Sequence, residues 1–491
     1  MKTNLLRILL VFFSVGMLFA CTQTAPEGPY FATGIKIGEV TQTQAIIWTR
    51  LTLNPERVGN DAPMPDVKYK DPETGEMVYR RGRPDITPVV TYPEGYNVNN
   101  IQGATPGSEG MVRVKYKTAG DTEWMKTEWH AVDPERTFTH QFELRDLTAG
   151  TEYELLVEGS PTGKKVSASI EGKFKTAPAH EQVAEVNFIV TTGTSYGDVD
   201  SESGYKFYLS SLKLDPDFFV HTGDIVYYDG MAKTADLARW HWDRMYSYPN
   251  NIEFHRQVPS YFIKDDHDTW KNDTYPGEIT QFMGEFTYEQ GTKIFLDEVP
   301  MGDKTYRTVR WGKDLQIWLV EGRDYRSQNP APDGPDKTIW GKEQMDWLKS
   351  GIKNSDATYK VLISPTPIVG PDRGNKKDNH ANVGFQYEGD LVRQFLSEQE
   401  NVVTVCGDRH WQYISRDAET GLMEFSCGPG GDDHAGGWQQ ENRLPEHVYL
   451  NVVGGFLEGA IVQNAEGPAL VFRHYNPDGD LLNEYTVGSE E

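Results

Sequence analysis

The chain has 491 residues, which suits two or three domains, and its 12% aromatic content excludes an intrinsically disordered protein. Asp and Glu (73 residues) outnumber Lys and Arg (48), so the formal net charge is −25. With no basic stripe to offset it, this charge argues against a nucleic-acid partner. The same charge repels anionic substrates, so an anionic substrate would need cations held locally, and metal ions are the first candidates.

Residues 1–21 are predicted to be an export signal. Lys2 and Arg7 precede an apolar run from Ile8 to Ala20, which is too short to span a bilayer with margin. The run ends in the letters LFAC, similar to a bacterial lipobox, which predicts lipidation at Cys21. The alternative is ordinary cleavage near Ala20 with Cys21 left free. We therefore expect an outer-membrane, periplasmic or cell-surface lipoprotein, or otherwise a secreted protein, whose only membrane attachment is the lipid.

Residues 22–178 are predicted to form an N-terminal β-sandwich domain of the fibronectin or immunoglobulin kind. Apolar and polar residues alternate in several short segments, namely Thr33–Leu51, Val112–Tyr116, Thr137–Leu144 and Tyr153–Glu158. Short alternating strands separated by turn signals are typical of such sandwiches. Residues 52–110 have many Pro, Gly and Asn residues and little periodicity, so we interpret them as a long insertion or loop.

Residues 184–491 show a different pattern and are predicted to form a layered α/β domain. Short, nearly continuous apolar runs favour strands buried on both faces, at Val186–Val190, Phe218–His221, Ser260–Lys264, Leu315–Glu321, Lys360–Ser364 and Asn401–Cys406. Helical stretches lie between them, at Gly204–Lys213, Thr234–Tyr246, Gly341–Ser350 and Gly389–Glu398. Residues 448–488 return to alternating strands.

Polar clusters directly follow four of these apolar runs. They begin at Thr222-Gly223-Asp224, Lys264-Asp265-Asp266-His267-Asp268, Glu321-Gly322-Arg323 and Cys406-Gly407-Asp408-Arg409-His410. Ligands of α/β sheets bind at the carboxyl ends of strands, so these side chains are expected to converge. Converging carboxylates repel one another, and divalent or trivalent cations are their natural counter-charge.

The order Gly223-Asp224-x-x-Tyr227, then Asp265-Asp266-His267-Asp268, then Gly407-Asp408-Arg409-His410, resembles the PhoD-like alkaline phosphatase/phosphodiesterase family of calcineurin-like metallophosphatases. Phe31–Arg50 and Gly322–Arg326 are also similar to family segments. The resemblance runs from about residue 30 to the region of His410. It implies an α+β fold, in which an αββα metallophosphatase sandwich at 184–491 is preceded by a β-sandwich.

The resemblance also implies roles for individual residues. The metal ligands would be Asp224 as the bridging carboxylate, Tyr227 as a phenolate, and Asp266, Asp408 and His410. In the reaction, His267 would contact the leaving group or a phosphoryl oxygen, and Arg323 would hold a phosphoryl oxygen. In the mechanism we expect, Asp265 or Asp268 orients His267.

One departure from the family pattern concerns the first metal motif, which normally carries a Cys after the first strand. Here Gly193 stands at that position, and Cys406 and Cys427 lie elsewhere, either paired or as buried free thiols. Either Asp198 or Asp200 supplies an oxygen ligand instead, or both lie in a solvated loop. The resemblance implies Ca²⁺ with Fe³⁺, and the loss of the thiolate makes Zn²⁺, Mn²⁺ and Mg²⁺ candidates as well.

The predicted function is hydrolysis of phosphate mono- or diesters by metal-activated water. Two alternatives stay open: a related metallohydrolase acting on sulfate esters or phospholipids, and a surface binding protein whose metal site has decayed, which Gly193 would favour. The Gly-rich stretch Gly428–Gly437 contains His434, and we interpret it as a plain loop rather than a rim of the pocket.

Overall fold

The computed structural model describes residues 28–80 and 82–488, so the predicted signal and Cys21 lie outside the described residues. The N-terminal part of the described chain consists almost entirely of strands. They are β1 (Ile35–Gly38), β2 (Ala45–Arg50), β3 (Asp66–Lys70), β4 (Met77–Val78), β5 (Pro88–Thr91), β6 (Met111–Thr118), β7 (Met125–Lys126), β8 (His130–Ala131), β9 (Thr139–Leu144), β10 (Glu152–Ser160) and β11 (Ala168–Lys175).

The predicted N-terminal β-sandwich is confirmed. One of its sheets is the antiparallel set β1, β2 and β9, and the other has the order β11-β10-β6-β7, with β8 also pairing with β6. Ile37 and Ile47 from the first sheet share one buried cluster with Val114, Leu155 and Phe174 from the second. The alternation seen in the sequence thus directs one face of each sheet into a common core.

Residues 52–110, here called the insertion, contain a small antiparallel sheet of order β4-β3-β5 rather than only loop. The sequence did not predict this sheet because its strands are two to five residues long, too short to show a period. The insertion packs on the second domain: Tyr69 stacks on Phe282 with ring centroids 6.4 Å apart, and Arg57 donates to the Tyr196 hydroxyl over 2.6 Å.

The second part of the chain alternates strands and helices. Its strands are β12 (Val186–Thr191), β13 (Phe218–His221), β14 (Ser260–Phe262), β15 (Arg307–Trp311), β16 (Leu315–Leu319), β17 (Tyr359–Ser364), β18 (Val402–Cys406), β19 (Gln412–Arg416), β20 (Met423–Cys427), β21 (His447–Asn451), β22 (Phe456–Asn464), β23 (Gly467–Tyr475) and β24 (Leu481–Thr486). Its helices are α1 (Lys206–Leu212), α2 (Tyr228–Met231), α3 (Ala235–Tyr246), α4 (Pro249–His255), α5 (Tyr288–Glu298), α6 (Gly341–Asn354) and α7 (Gln386–Ser397). Within residues 28–80 and 82–488, no helix combines the length and the apolar character that crossing a membrane requires.

Two sheets pack face to face with helices outside each, so the predicted αββα sandwich is confirmed. Their orders are β24-β23-β22-β12-β13-β14-β1-β2-β9 and β15-β16-β17-β18-β20-β19-β21. In β13, Phe218 and Val220 join the core between the sheets, whereas Phe219 packs with residues of α1, α3, α4 and α5. In β17, Val361 joins the same inner core, whereas Leu362 packs with residues of α6 and α7. The nearly continuous apolar runs are therefore strands covered on both faces.

The two parts of the chain share one sheet. Strand β1 of the sandwich pairs in parallel with β14 through Gly38 and Ser260. Nearby, the Trp48 indole N–H donates to the Asp297 carbonyl over 2.7 Å. The predicted domain boundaries at residues 22–178 and 184–491 stay a prediction.

Strand direction places the connecting loops. Strands β12, β13 and β14 run parallel in one sheet, and β16, β17 and β18 run parallel in the other. Because the carboxyl ends of parallel strands open onto the same edge, the segments that follow them lie side by side.

Candidate metal centre

The segments that follow four strands meet at this edge. They carry Gly193 after β12, Asp224 after β13, Asp265 after β14 and Asp408 after β18. The approach is close enough to require a glycine: a Cβ on Gly223 would lie only 2.5 Å from the Cβ of Asp265. Asp224 and Asp408 both have left-handed backbones, with φ of 55° and 58°. Such conformations are uncommon outside glycine and are frequent at functional sites.

Among the described residues, buried carboxylates and one imidazole form two groups whose ligand atoms lie within 4.8 Å of one another. Asp224, Asp266 and His267 make the first group, and Asp224, Asp265 and Asp408 make the second. Asp224 belongs to both groups. A carboxylate shared in this way can bridge two ions held on either side of it.

The charge of these groups fits bound cations. Burial, followed by the charge of Asp266, raises the pKa of Asp224 well above its usual range, and burial raises the pKa of Asp408 to about 6. The buried Oδ1 of Asp224 and Oδ2 of Asp265 have no hydrogen-bond partner among the described residues. Unpaired buried carboxylate oxygens are costly, and divalent or trivalent metal ions would supply both the missing partner and the missing charge.

Arg323 forms a buried ion pair with the carboxylate of Asp265. Its side chain is 0% exposed, and its Nε donates to Asp265 over 2.6 Å. Its expected role of holding a phosphoryl oxygen stays a prediction. Arg323 fixes the position of the Asp265 carboxylate. The sequence alone did not predict this ion pair, because the two residues lie in different segments.

The expectation that Asp265 or Asp268 orients His267 stays a prediction, and a different carboxylate contacts that ring in this structure. The Asp268 carboxylate accepts the backbone N–H of Asp224 over 2.7 Å, which fastens the β13 and β14 loops together. The imidazole of His267 is held by Asp229, whose Oδ1 lies 2.7 Å from Nδ1. Asp229 lies on α2, directly after Tyr228. No sequence pattern marked it as a partner of His267.

Tyr227 lies at the centre of a second set of polar atoms. Its hydroxyl oxygen is 3.3 Å from Asp224 Oδ2, 3.4 Å from His410 Nε2 and 2.6 Å from His434 Nε2. His434 was not predicted here, because its loop was interpreted as plain. Asp198 contacts the other ring nitrogen of His434, with its Oδ2 2.7 Å from Nδ1. Asp200 accepts the backbone N–H of Lys206.

Neither Cys406 nor Cys427 belongs to the ligand groups found among the described residues. Cys406 and Cys427 are buried free thiols, which decides between the two alternatives for them.

A cavity of about 560 Å³ opens beside these residues. Tyr227 and His267 line it, and Met64 and Arg83 reach it from the insertion. The Arg83 guanidinium also pairs with Asp229 over 2.7 Å, so the insertion contacts the residue that holds His267. The volume is in the range of small-molecule binding sites.

Comparisons with known proteins match both parts of the chain. The family described as PhoD-like phosphatase matches residues 188–448, and the family described as PhoD-like phosphatase, N-terminal domain, matches residues 18–178. Alkaline phosphatase D of Bacillus subtilis is 24% identical over 301 residues, which cover 50% of this chain and 49% of that protein. The match therefore spans about half the length of this relative.

Solved structures show the same fold at low identity. The structure of PhoD aligns with a TM-score of 0.67 and 17% identity, covering 94% of this chain and 93% of that one. A purple acid phosphatase from yellow lupin (Lupinus luteus) seeds aligns with a TM-score of 0.61 and 12% identity, covering 92% and 73%.

The crowding of carboxylates predicts an unusual effect of Asp224→Asn on stability. In protein stripped of metal with a chelator, we expect the variant to be as stable as the parent or more stable by about 1–3 kcal/mol, because one unpaired buried charge is removed. Asn also tolerates the left-handed backbone at this position. With metal added, the parent should gain stability by binding and the variant should gain less. Thermal unfolding with and without chelator measures both effects.

Asp268→Ala is the matched control for this comparison. It removes the acceptor of the Asp224 N–H and should therefore destabilise the protein with and without metal. A chelated Asp224→Asn protein that melts well below the chelated parent would contradict the interpretation of the site as crowded negative charge.

Proposed function

Because the chain belongs to the PhoD-like phosphatase family, we propose that it hydrolyses phosphate esters at metal ions held by its strand-end carboxylates. The observation that carries this proposal is the position of Asp224, which belongs both to the carboxylate group with Asp265 and Asp408 and to the polar atoms around Tyr227. That sharing supports two neighbouring ions rather than one. Asp266, Asp408, His410 and Tyr227 are the further proposed ligands.

The two sides of the site differ in ligand chemistry. Asp224, Asp265 and Asp408 offer only carboxylate oxygens, which suit Ca²⁺ or Mg²⁺. Around Tyr227, a phenol oxygen and imidazole nitrogen suit Fe³⁺, Zn²⁺ or Mn²⁺. We therefore assign Ca²⁺ to the first side and Fe³⁺ to the second, with the other ions as the alternatives that metal analysis would reveal.

The chain's own residues would bind the ester and manage its protons. Bound cations supply Lewis acidity and lower the pKa of water. His267 lines the cavity, and its Nδ1 is held by Asp229. Burial opposes a charged ring, but the carboxylates of Asp229, Asp266 and Asp224 raise the pKa of His267 well above its usual range. The ring therefore carries a proton on both nitrogens, and Nε2 can give its proton to the leaving oxygen. Asp229 fixes the ring orientation during this transfer, and Arg83 fixes Asp229 from the side of the insertion.

The cavity supports an ester with an organic leaving group. Besides Tyr227 and His267 its walls include the apolar side chains Met64, Met231 and Phe282. A leaving group placed there would rest on apolar surface while the phosphoryl group faces the carboxylates.

Activity assays of ligand variants test the proposal directly. Asp224→Asn and His410→Ala should each lower turnover of p-nitrophenyl phosphate or bis(p-nitrophenyl) phosphate by at least about 100-fold, because each removes a ligand of the charge-stabilising ions. Asp200→Asn is the control and should leave turnover unchanged, since Asp200 only accepts the Lys206 N–H. Full activity in both ligand variants would refute the site.

The same assay separates the alternative functions. Faster turnover of p-nitrophenyl sulfate or of phospholipid vesicles than of either phosphate would favour the related metallohydrolase. Metal analysis of the same preparation addresses the third possibility, because a binding protein with a decayed site should hold no stoichiometric ion and hydrolyse none of these substrates.

The Asp229–His267 pair predicts a dependence on the leaving group. Asp229→Asn should lower kcat at least about 10-fold for an alkyl phosphate ester, whose leaving oxygen needs a proton, and much less for a p-nitrophenyl ester. Asp200→Asn is the control and should preserve the ratio of the two rates, since Asp200 accepts the Lys206 N–H. Equal losses for both esters in Asp229→Asn would contradict proton donation by His267.

For the place of the protein in the cell, we propose export and anchoring through a lipid on Cys21, supported by the lipobox-like ending of the apolar run. Cys21→Ser should move the protein from the membrane fraction to the soluble fraction. Identical fractionation of the two proteins would favour ordinary cleavage and secretion.

A further inference from the structure

His434 is held between two partners in a way that fixes which of its nitrogens is free. Asp198 Oδ2 lies 2.7 Å from Nδ1, so the proton of the neutral ring belongs on Nδ1. The lone pair then lies on Nε2, which points at the Tyr227 hydroxyl oxygen 2.6 Å away. A carboxylate bound to the far nitrogen is the usual partner of a histidine that ligates a metal.

Three ligand-type atoms surround the Tyr227 oxygen. Asp224 Oδ2, His410 Nε2 and His434 Nε2 lie 2.6–3.4 Å from it. Nitrogen and oxygen ligands about 2.0–2.2 Å from a common ion lie roughly 3 Å apart, so these separations are those of one coordination sphere. The rings of His410 and His434 lie side by side, with centroids 4.1 Å apart.

The loop that carries His434 is fixed to the end of β12. Pro429 forms a parallel bridge with Thr192, and the Gly430 N–H donates to the carbonyls of Thr192 and Gly193 over 3.1 Å. The Asp432 carboxylate accepts the Gly454 N–H over 2.9 Å. These contacts are all made by the chain itself, so His434 is presented by a fixed backbone.

Gly193 leaves the space that His434 fills. A Cβ on Gly193 would lie 3.1 Å from His434 Cδ2 and 3.4 Å from Nε2, and the Gly193 backbone has φ of 53°. A side chain at residue 193 would therefore crowd the imidazole, which would have to shift by a few tenths of an ångström. The absence of a side chain at this position and the presence of His434 are parts of one arrangement.

We propose that His434 is a metal ligand, completing a set with Asp224, Tyr227 and His410, and that Asp198 is its positioning residue. This inference rests on the proposed metal-dependent function and adds a ligand to the same site. It places the loop Gly428–Gly437 at the metal centre. It also means that the missing side chain at Gly193 goes with a different metal ligand, His434, and does not indicate that the metal site has been lost.

The test compares metal retention in His434→Gln, His434→Ala, Asp198→Asn and Asp433→Asn. Gln can still accept the Tyr227 hydroxyl proton, but its amide is a poor metal ligand, so it separates a ligand from a hydrogen-bond partner. Each protein is saturated with metal and dialysed against a graded chelator, and its ions are counted by elemental analysis. Unfolding of the chelated proteins shows whether each variant folds.

We expect both His434 variants to lose one of two ions at chelator concentrations that the parent withstands, together with any visible tyrosinate-to-metal absorption. Asp198→Asn should bind the same number of ions with about 10- to 100-fold weaker affinity. Asp433→Asn, an exposed neighbour in the same loop, should match the parent. Parent-like retention in His434→Gln would overturn the inference and leave the proposed function standing, whereas a parent that binds no ion would overturn the function itself.

Discussion

Mutual repulsion of buried carboxylates is the constraint on which this site depends. Asp224 shares ligand groups with Asp265, Asp266 and Asp408, so negative charge is concentrated at one buried place. Arg323 and Arg409 offset part of it, at Asp265 and Asp408, and Asp268 is used to fasten backbone. Much of the surrounding structure holds these side chains in place against their own repulsion, which leaves them ready for cations.

The layered fold supplies that restraint. Parallel strands in two facing sheets bring their ends to one edge, and the packed cores on both faces of each sheet keep the ends from separating. Residues outside the strands then complete the polar site and the cavity at this edge. Asp229 orients His267, the loop after β20 brings His434 to Tyr227, and the insertion provides a wall of the cavity.

The sequence predicted best what depends on local pattern. Runs such as Phe218–His221 predicted strands covered on both faces, and the polar residues after them predicted where side chains converge. It failed where the partner comes from a distant segment. His434 lies 207 positions from Tyr227, and Asp229 lies 38 positions from His267, so no spacing rule connects them. Arg323 shows a further limit, because a charged residue type does not reveal which way its side chain points.

The pairing of β1 with β14 has a consequence for how the molecule can be divided. A chain cut at residue 178 would leave the short strand β14 (Ser260–Phe262) as a sheet edge that is no longer paired at Ser260. Such an edge invites association with other chains. The N-terminal sandwich therefore acts as a built-in cover for its neighbour, and either half expressed separately should be prone to aggregate.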